Sequence, residues 1–137
     1  MGSVKRDLHV NERNLEAKYP ALDRPENLRI LLSDYHALLS RQYLGDYDSV
    51  VILADLATAI AMAKLTDRQR EALRLVYEED LTQEEAGKRL TGPNGLGVAQ
   101  KNVSEALERA IENIAEVYWY WSRHGEGYRI GGGGIEN

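Results

Sequence analysis

Apolar residues recur at helical spacing along most of the chain. Leu28, Leu31, Leu32, Tyr35, Leu38, Leu39 and Tyr43 form one stripe, which predicts a helix over about residues 25 to 44. Pro25 suits its first turn and Gly45 ends it. From Val50 to Lys64 the chain is rich in alanine and leucine and apolar on most faces. Such a helix is buried or oligomeric. Thr66-Asp67-Arg68-Gln69 and Thr82-Gln83-Glu84-Glu85 are two capping boxes sixteen positions apart. They predict helix, tight turn, helix. Thr91 to Gly97, with its glycines, Pro93 and Asn94, breaks the pattern as a loop. A long stripe follows, with Val103, Leu107, Ala110, Ile111, Ile114, Val117, Tyr118 and Trp121, and predicts a helix over about 99–122. One further helix is expected from about Val10 to Lys18, ahead of Tyr19-Pro20.

The expected fold is all-α, with five to six helices. An N-terminal helical half precedes a C-terminal helix-turn-helix with a long last helix. We divide the chain into an arm (1–24), a helical packing or oligomerisation region (25–64), a helix-turn-helix domain (65–122) and a flexible glycine-rich tail (123–137).

At 137 residues the chain suits one domain with a docked arm. Cysteine is absent, which excludes disulfides, thiolate catalysis and cysteine-ligated metals. The longest apolar run, Leu56 to Ala63, is broken by Thr58 and too short for a bilayer. The first ten residues hold no apolar stretch of signal-peptide length. The expected location is the cytoplasm, that of the host if the gene is a phage's, with no membrane partner. A net charge of −5 argues against bulk nucleic-acid binding but leaves room for a local basic face.

Catalytic chemistry finds little support. His9, His36 and His124 are scattered without metal spacing. Gly92 to Gly97 lacks the Gly-Lys-Ser/Thr ending of a phosphate loop. Asp46 and Asp48 read as a helix cap rather than a metal pair, and Glu84 and Glu85 complement a helix dipole. No nucleophile sits beside a base. We expect a non-enzyme with no cofactor and no metal.

Residues 65–114 carry the informative pattern. The inward set of a helix-turn-helix is Leu73, Val76, Tyr77, Leu81, Ala86, Leu90, Val98, Val103 and Leu107. The outward set at the start of the last helix is Gln100, Lys101, Asn102, Ser104 and Glu105. Glutamine and asparagine can pair with adenine, and lysine with guanine, in the major groove. Arg68, Arg70, Arg74, Lys88, Arg89, Lys101 and Arg109 are the cations available for phosphates.

The segments Leu65-Thr66-Asp67-Arg68-Gln69-Arg70-Glu71-Ala72-Leu73, Asp80-Leu81-Thr82-Gln83-Glu84-Glu85-Ala86 and Val103-Ser104-Glu105-Ala106-Leu107 resemble region 4 of sigma-70 type transcription factors. The resemblance implies that Gln83 to Leu90 is the supporting helix and that Gln100, Lys101, Asn102, Ser104 and Glu105 lie on the recognition helix. It also implies duplex DNA as a partner. Two departures stand out. Thr91 to Leu96 add roughly six residues to the family's short turn, cheap in closure entropy yet able to tilt the recognition helix. Ala99 stands where the family has a serine cap.

The layout of a helical half followed by this unit is similar to small phage late-gene regulators of the ArpU and RinA type. The end of the last helix, Val117-Tyr118-Trp119-Tyr120-Trp121, cannot face one core throughout. Val117, Tyr118, Trp119 and Trp121 are therefore candidates for packing on the N-terminal helices or on a second chain. A homo-oligomer is the expected state. Two alternatives stay open: a ring-forming recognition subunit that hands DNA to a phage terminase motor, and a module that binds RNA polymerase or a sigma factor.

Overall fold

The computed structural model describes residues 19, 21–90, 92 and 97–125. The helix expected over Val10 to Lys18, His9, most of the Thr91–Gly97 loop and the glycine-rich tail past Gly125 lie outside those residues. The described chain is all-α. It forms α1 (Pro25–Ser33), α2 (Tyr35–Tyr43), α3 (Tyr47–Met62), α4 (Asp67–Leu73) running into a π-helical turn (Arg74–Glu78), α5 (Gln83–Arg89) and α6 (Gln100–His124).

The single helix expected over 25–44 is two. The chain departs from helical geometry at Asp34, with φ −94° and ψ 10°. Its amide donates to the carbonyls of both Ile30 (3.2 Å) and Leu31 (3.1 Å), the tightening typical of a helix end. The Tyr19 hydroxyl donates to Asp34 Oδ2 at 2.7 Å, holding the break from outside. Burial, then this contact with a carboxylate, pushes the Tyr19 phenol well above its usual range. The apolar stripe hides the break because the Asp34 carbonyl accepts the Leu38 amide at 2.9 Å, so α2 restarts at once. The two pieces then serve different neighbours: α1 packs on α6, whereas α2 packs on α3 and the π turn.

The side chain of Asp46 opens α3 by accepting from the Asp48 amide (3.1 Å) and the Ser49 hydroxyl (3.2 Å), and Arg41 pairs with it at 2.7 Å. That cap satisfies Ser49, which is fully buried. Only one side of α3 faces the core, through Leu53, Leu56 and Ala59. The other side, apolar though it is, faces solvent.

The π turn changes the expected inward set. The Glu79 amide reaches back to the Arg74 carbonyl (3.0 Å) and the Leu81 amide to Leu75 (3.1 Å). One extra residue per turn shifts the phase of everything after Leu73. Leu73 is buried as the spacing predicts, together with Ala72; beyond it Leu75 is buried, while Val76, Tyr77 and Leu81 pack at the core's edge. Ala86, Leu90, Val98, Val103 and Leu107 are buried as the spacing predicts.

Helix α6 is the spine of the molecule: α1, α3, α4 and α5 all pack against it. Its inner face contributes Val103, Ile111, Ile114 and Val117 to a core that also holds Leu28, Leu31 and Leu38. The N-terminal helices and the helix-turn-helix thus share one hydrophobic cluster.

Candidate nucleic-acid interface

Both capping boxes form. The Gln69 amide donates to Thr66 Oγ1 (3.1 Å) and the Thr66 amide to Gln69 Oε1 (3.2 Å). The Glu85 amide donates to Thr82 Oγ1 (3.1 Å) and the Thr82 amide to Glu85 Oε1 (2.9 Å). That amide, with the Thr82 side chain, holds the Glu85 carboxyl below the usual carboxylate range. Between them Asp80 turns the chain with a left-handed φ of 60°. The boxes fix where α4 and α5 begin, and so where their buried faces point.

The junction between α5 and α6 is set by glycine. The Val98 amide donates to the Gly87 carbonyl at 2.7 Å. A Cβ on Gly87 would fall 2.2 Å from the Val98 carbonyl oxygen, and one on Gly97 would fall 2.8 Å from the Gly87 oxygen. The backbones touch because both residues lack side chains. The chain that leaves Leu90 is therefore back against α5 by Gly97. The tilt that the insertion allowed for is opposed by this contact.

Beyond the junction, Gln100, Lys101, Asn102 and Glu105 are exposed on the first two turns of α6, and Ser104 is half-buried. Ala99 is the N-cap and offers no side chain to the amides at the head of the helix. These side chains stand opposite Val103, Ala106 and Leu107, which are held in the core. The outer face of α6 is thus rigidly aimed.

The candidate phosphate ligands are scattered more widely. Arg70, Lys88, Arg89 and Arg109 are exposed, and Arg68 is half-buried. Arg74 is exposed but engaged: its guanidinium bonds Glu71 through Nε and Glu79 through Nη1, the latter at 3.0 Å. Those contacts, the Glu71 hydrogen bond first, raise its pKa further and tie it to its own turn. A cation that the sequence did not single out, Arg29 of α1, reaches Glu108 of α6 at 3.8 Å. No local pattern signals it, since the two are 79 residues apart.

Of the aromatic end of α6, Val117 and Trp121 are buried and Tyr118 is half-buried. Tyr118 and Trp121 meet edge to face and line a cleft with Tyr19, Leu22 and Asp23. These three serve packing within the chain. Trp119 alone of the four points outward, with the Arg123 guanidinium 4.8 Å over its ring. Among the described residues no group of acidic or histidine side chains could hold a metal ion. No described helix is long and apolar enough to cross a membrane.

The family model for sigma-70 region 4 matches residues 61–116. This segment is a sigma-70 region 4-like helix-turn-helix, a DNA-binding unit. The match starts at the end of α3, spans α4, the π turn and α5, and includes the first two-thirds of α6. Comparison with curated proteins and with solved structures gives no match. The last helix of the region 4-like segment is the one on which α1 and α3 are packed.

Proposed function

We propose that the protein is a transcription regulator that reads duplex DNA with the head of α6. The observation that carries this reading is the exposed row Gln100, Lys101, Asn102 and Glu105, backed by core residues and abutted by α5 within the region 4-like segment. Such a helix enters the major groove by its N-terminal residues. Gln100 and Asn102 pair with adenine edges, and Lys101 with guanine or phosphate. Arg70, Lys88 and Arg89 serve the flanking phosphates. Farther along α6 the outer face turns acidic with Glu108, Glu112 and Glu116, so contact is confined to the first turns. Within this class the reading is a small phage-type regulator, on the arrangement of a helical half joined to a region 4-like unit.

The test starts by selecting a preferred site from a random duplex pool. Gln100→Ala with Asn102→Ala is then compared with wild type on that site and on mixed sequence. Discrimination should fall by about tenfold or more, the worth of a bidentate base pair contact, with unchanged far-UV circular dichroism. Discrimination equal to wild type would overturn the assignment. A wild-type protein blind to DNA at low salt would leave only a protein-binding role.

A further inference from the structure

The solvent side of α3 holds seven exposed positions: Tyr47, Val50, Val51, Ala54, Ala57, Thr58 and Ala61. Spacing of three and four residues puts them on one face about 21 Å long, at 1.5 Å rise per residue. None of them is charged. Even the one hydroxyl of its middle turns, on Thr58, is folded back onto the Ala54 carbonyl at 3.0 Å. At the head of this face the α2–α3 turn adds Tyr43 and Leu44, which are 90% and 83% exposed, beside Tyr47 at 71%. A surface helix ordinarily presents charge to water. Here the seven exposed positions among fifteen consecutive residues carry none, with Asp48 and Asp55 half-buried at the flank, in a chain that is 28% charged.

The extent of the surface is also telling. Taking about 150–250 Å² for an aromatic side chain, Tyr43 and Tyr47 alone expose roughly 300 Å². With Leu44, the valines and the small residues the surface comes to roughly 600 Å², the upper end of what one patch on a monomer shows. A standard interface takes about 800 Å² from each partner. The surface is therefore of interface size once a polar rim is added.

We propose that this face of α3 binds the same face of a second copy of the chain, antiparallel, with the two helices crossing at Ala54. The shape argues for self-pairing. Bulk is gathered at the N-terminal end (Tyr47, Val50, Val51) and small side chains at the C-terminal end (Ala57, Thr58, Ala61). A twofold axis at Ala54 sets Tyr47 of each copy over Ala61 of the other, so that large meets small in both directions. Such an isologous contact needs only one patch and closes at two chains. Antiparallel helices also oppose their dipoles. An uncharged face has no ion pair to offer an unlike partner, and a second copy asks for none. The proposal does not depend on DNA binding. It transfers the oligomer contact from the aromatic end of α6, which the chain uses for itself, to α3.

Sedimentation of the full chain without DNA tests it. Wild type should run at about 31 kDa, twice the 15.4 kDa of one chain. Ala54→Glu and Ala54→Lys each place two like charges at the axis and should each run as monomers with wild-type helicity. Mixed one to one, they should recover the dimer, because opposite charges then meet. Should Ala54→Glu lose helicity, Thr58→Glu and Thr58→Lys on the same face repeat the pair. A wild-type monomer at every concentration overturns the proposal. So does a dimer that survives both substitutions, or a closed assembly larger than two.

Discussion

The Val98 amide donates to the carbonyl of Gly87 at 2.7 Å, and this bond ties the entrance of α6 to the middle of α5. One short helix and one long one are held in register by a contact that no side chain makes.

Gly87→Ala tests that contact directly. Its Cβ would lie 2.2 Å from a backbone oxygen, which cannot rotate away. Overpacking of this kind costs about 1–3 kcal/mol. Chemical denaturation should show the midpoint falling with an unchanged slope. Gly97→Ala, where the closest approach is 2.8 Å, should cost less. Equal stability of Gly87→Ala and wild type would mean that the junction is looser than described.

The cations divide by their engagement. Removing one phosphate contact lowers the salt slope of DNA binding by about 0.9. Arg70→Ala and Lys88→Ala should do so and weaken binding about equally on every sequence. Arg74→Ala should change the slope less, since that guanidinium is already held by Glu71 and Glu79. Salt titrations of the three variants give the ranking. Arg74 coming first would contradict it.

The second capping box should titrate. The Thr82 amide and side chain lower the Glu85 pKa from its ordinary 4.5, so the folded state holds the ionised form. The stabilisation is complete above 4.5 and is lost as pH falls through the lowered, folded value. Glu85→Gln keeps the acceptor, as Gln69 does in the first box, but removes the proton. Thermal melts between pH 6 and pH 3, about the range over which carboxylates titrate, should converge for wild type and variant as acid is added. A constant gap between them would exclude Glu85 as a source of acid sensitivity.

Lys64 follows α3 with φ 55°, a left-handed conformation that costs a side-chain-bearing residue about 1–2 kcal/mol. Glycine removes that cost but frees the unfolded chain by about 0.4–1 kcal/mol. The first figure is the larger, so Lys64→Gly should raise the melting temperature slightly. Lys64→Val should lower it. The same ordering for both substitutions would show that the conformation is not retained in solution.

Because α6 carries both halves, Ile114→Ala should destabilise them together. Ile114 is fully buried, and such truncations cost about 2–5 kcal/mol. Tryptophan fluorescence, reporting Trp119 and Trp121, and far-UV circular dichroism should give coincident transitions in wild type and variant. Separated transitions would mean two independent units.

Periodicity and capping were legible because they are local. The two boxes, the Asp46 cap and the stripe from Val103 to Trp121 depend on residues three or four apart, and helix bounds followed from them. The region 4-like segment was legible for the same reason, since its motifs are the boxes and what surrounds them. Local spacing was silent wherever a distant group decided. The Asp34 break leaves the stripe in phase and is held by Tyr19, fifteen residues away. The π turn shifts the inward set by a residue, and no pattern of side chains announces an extra residue in a backbone turn. The aromatic run at the end of α6 held two meanings until α1 and the Tyr19 segment covered one side of it. The sequence alone made α3 apolar on most faces. Only the packing of α2 and α6 could choose which side to bury, because a helix has one contact face per neighbour, and they left the remaining side to the solvent.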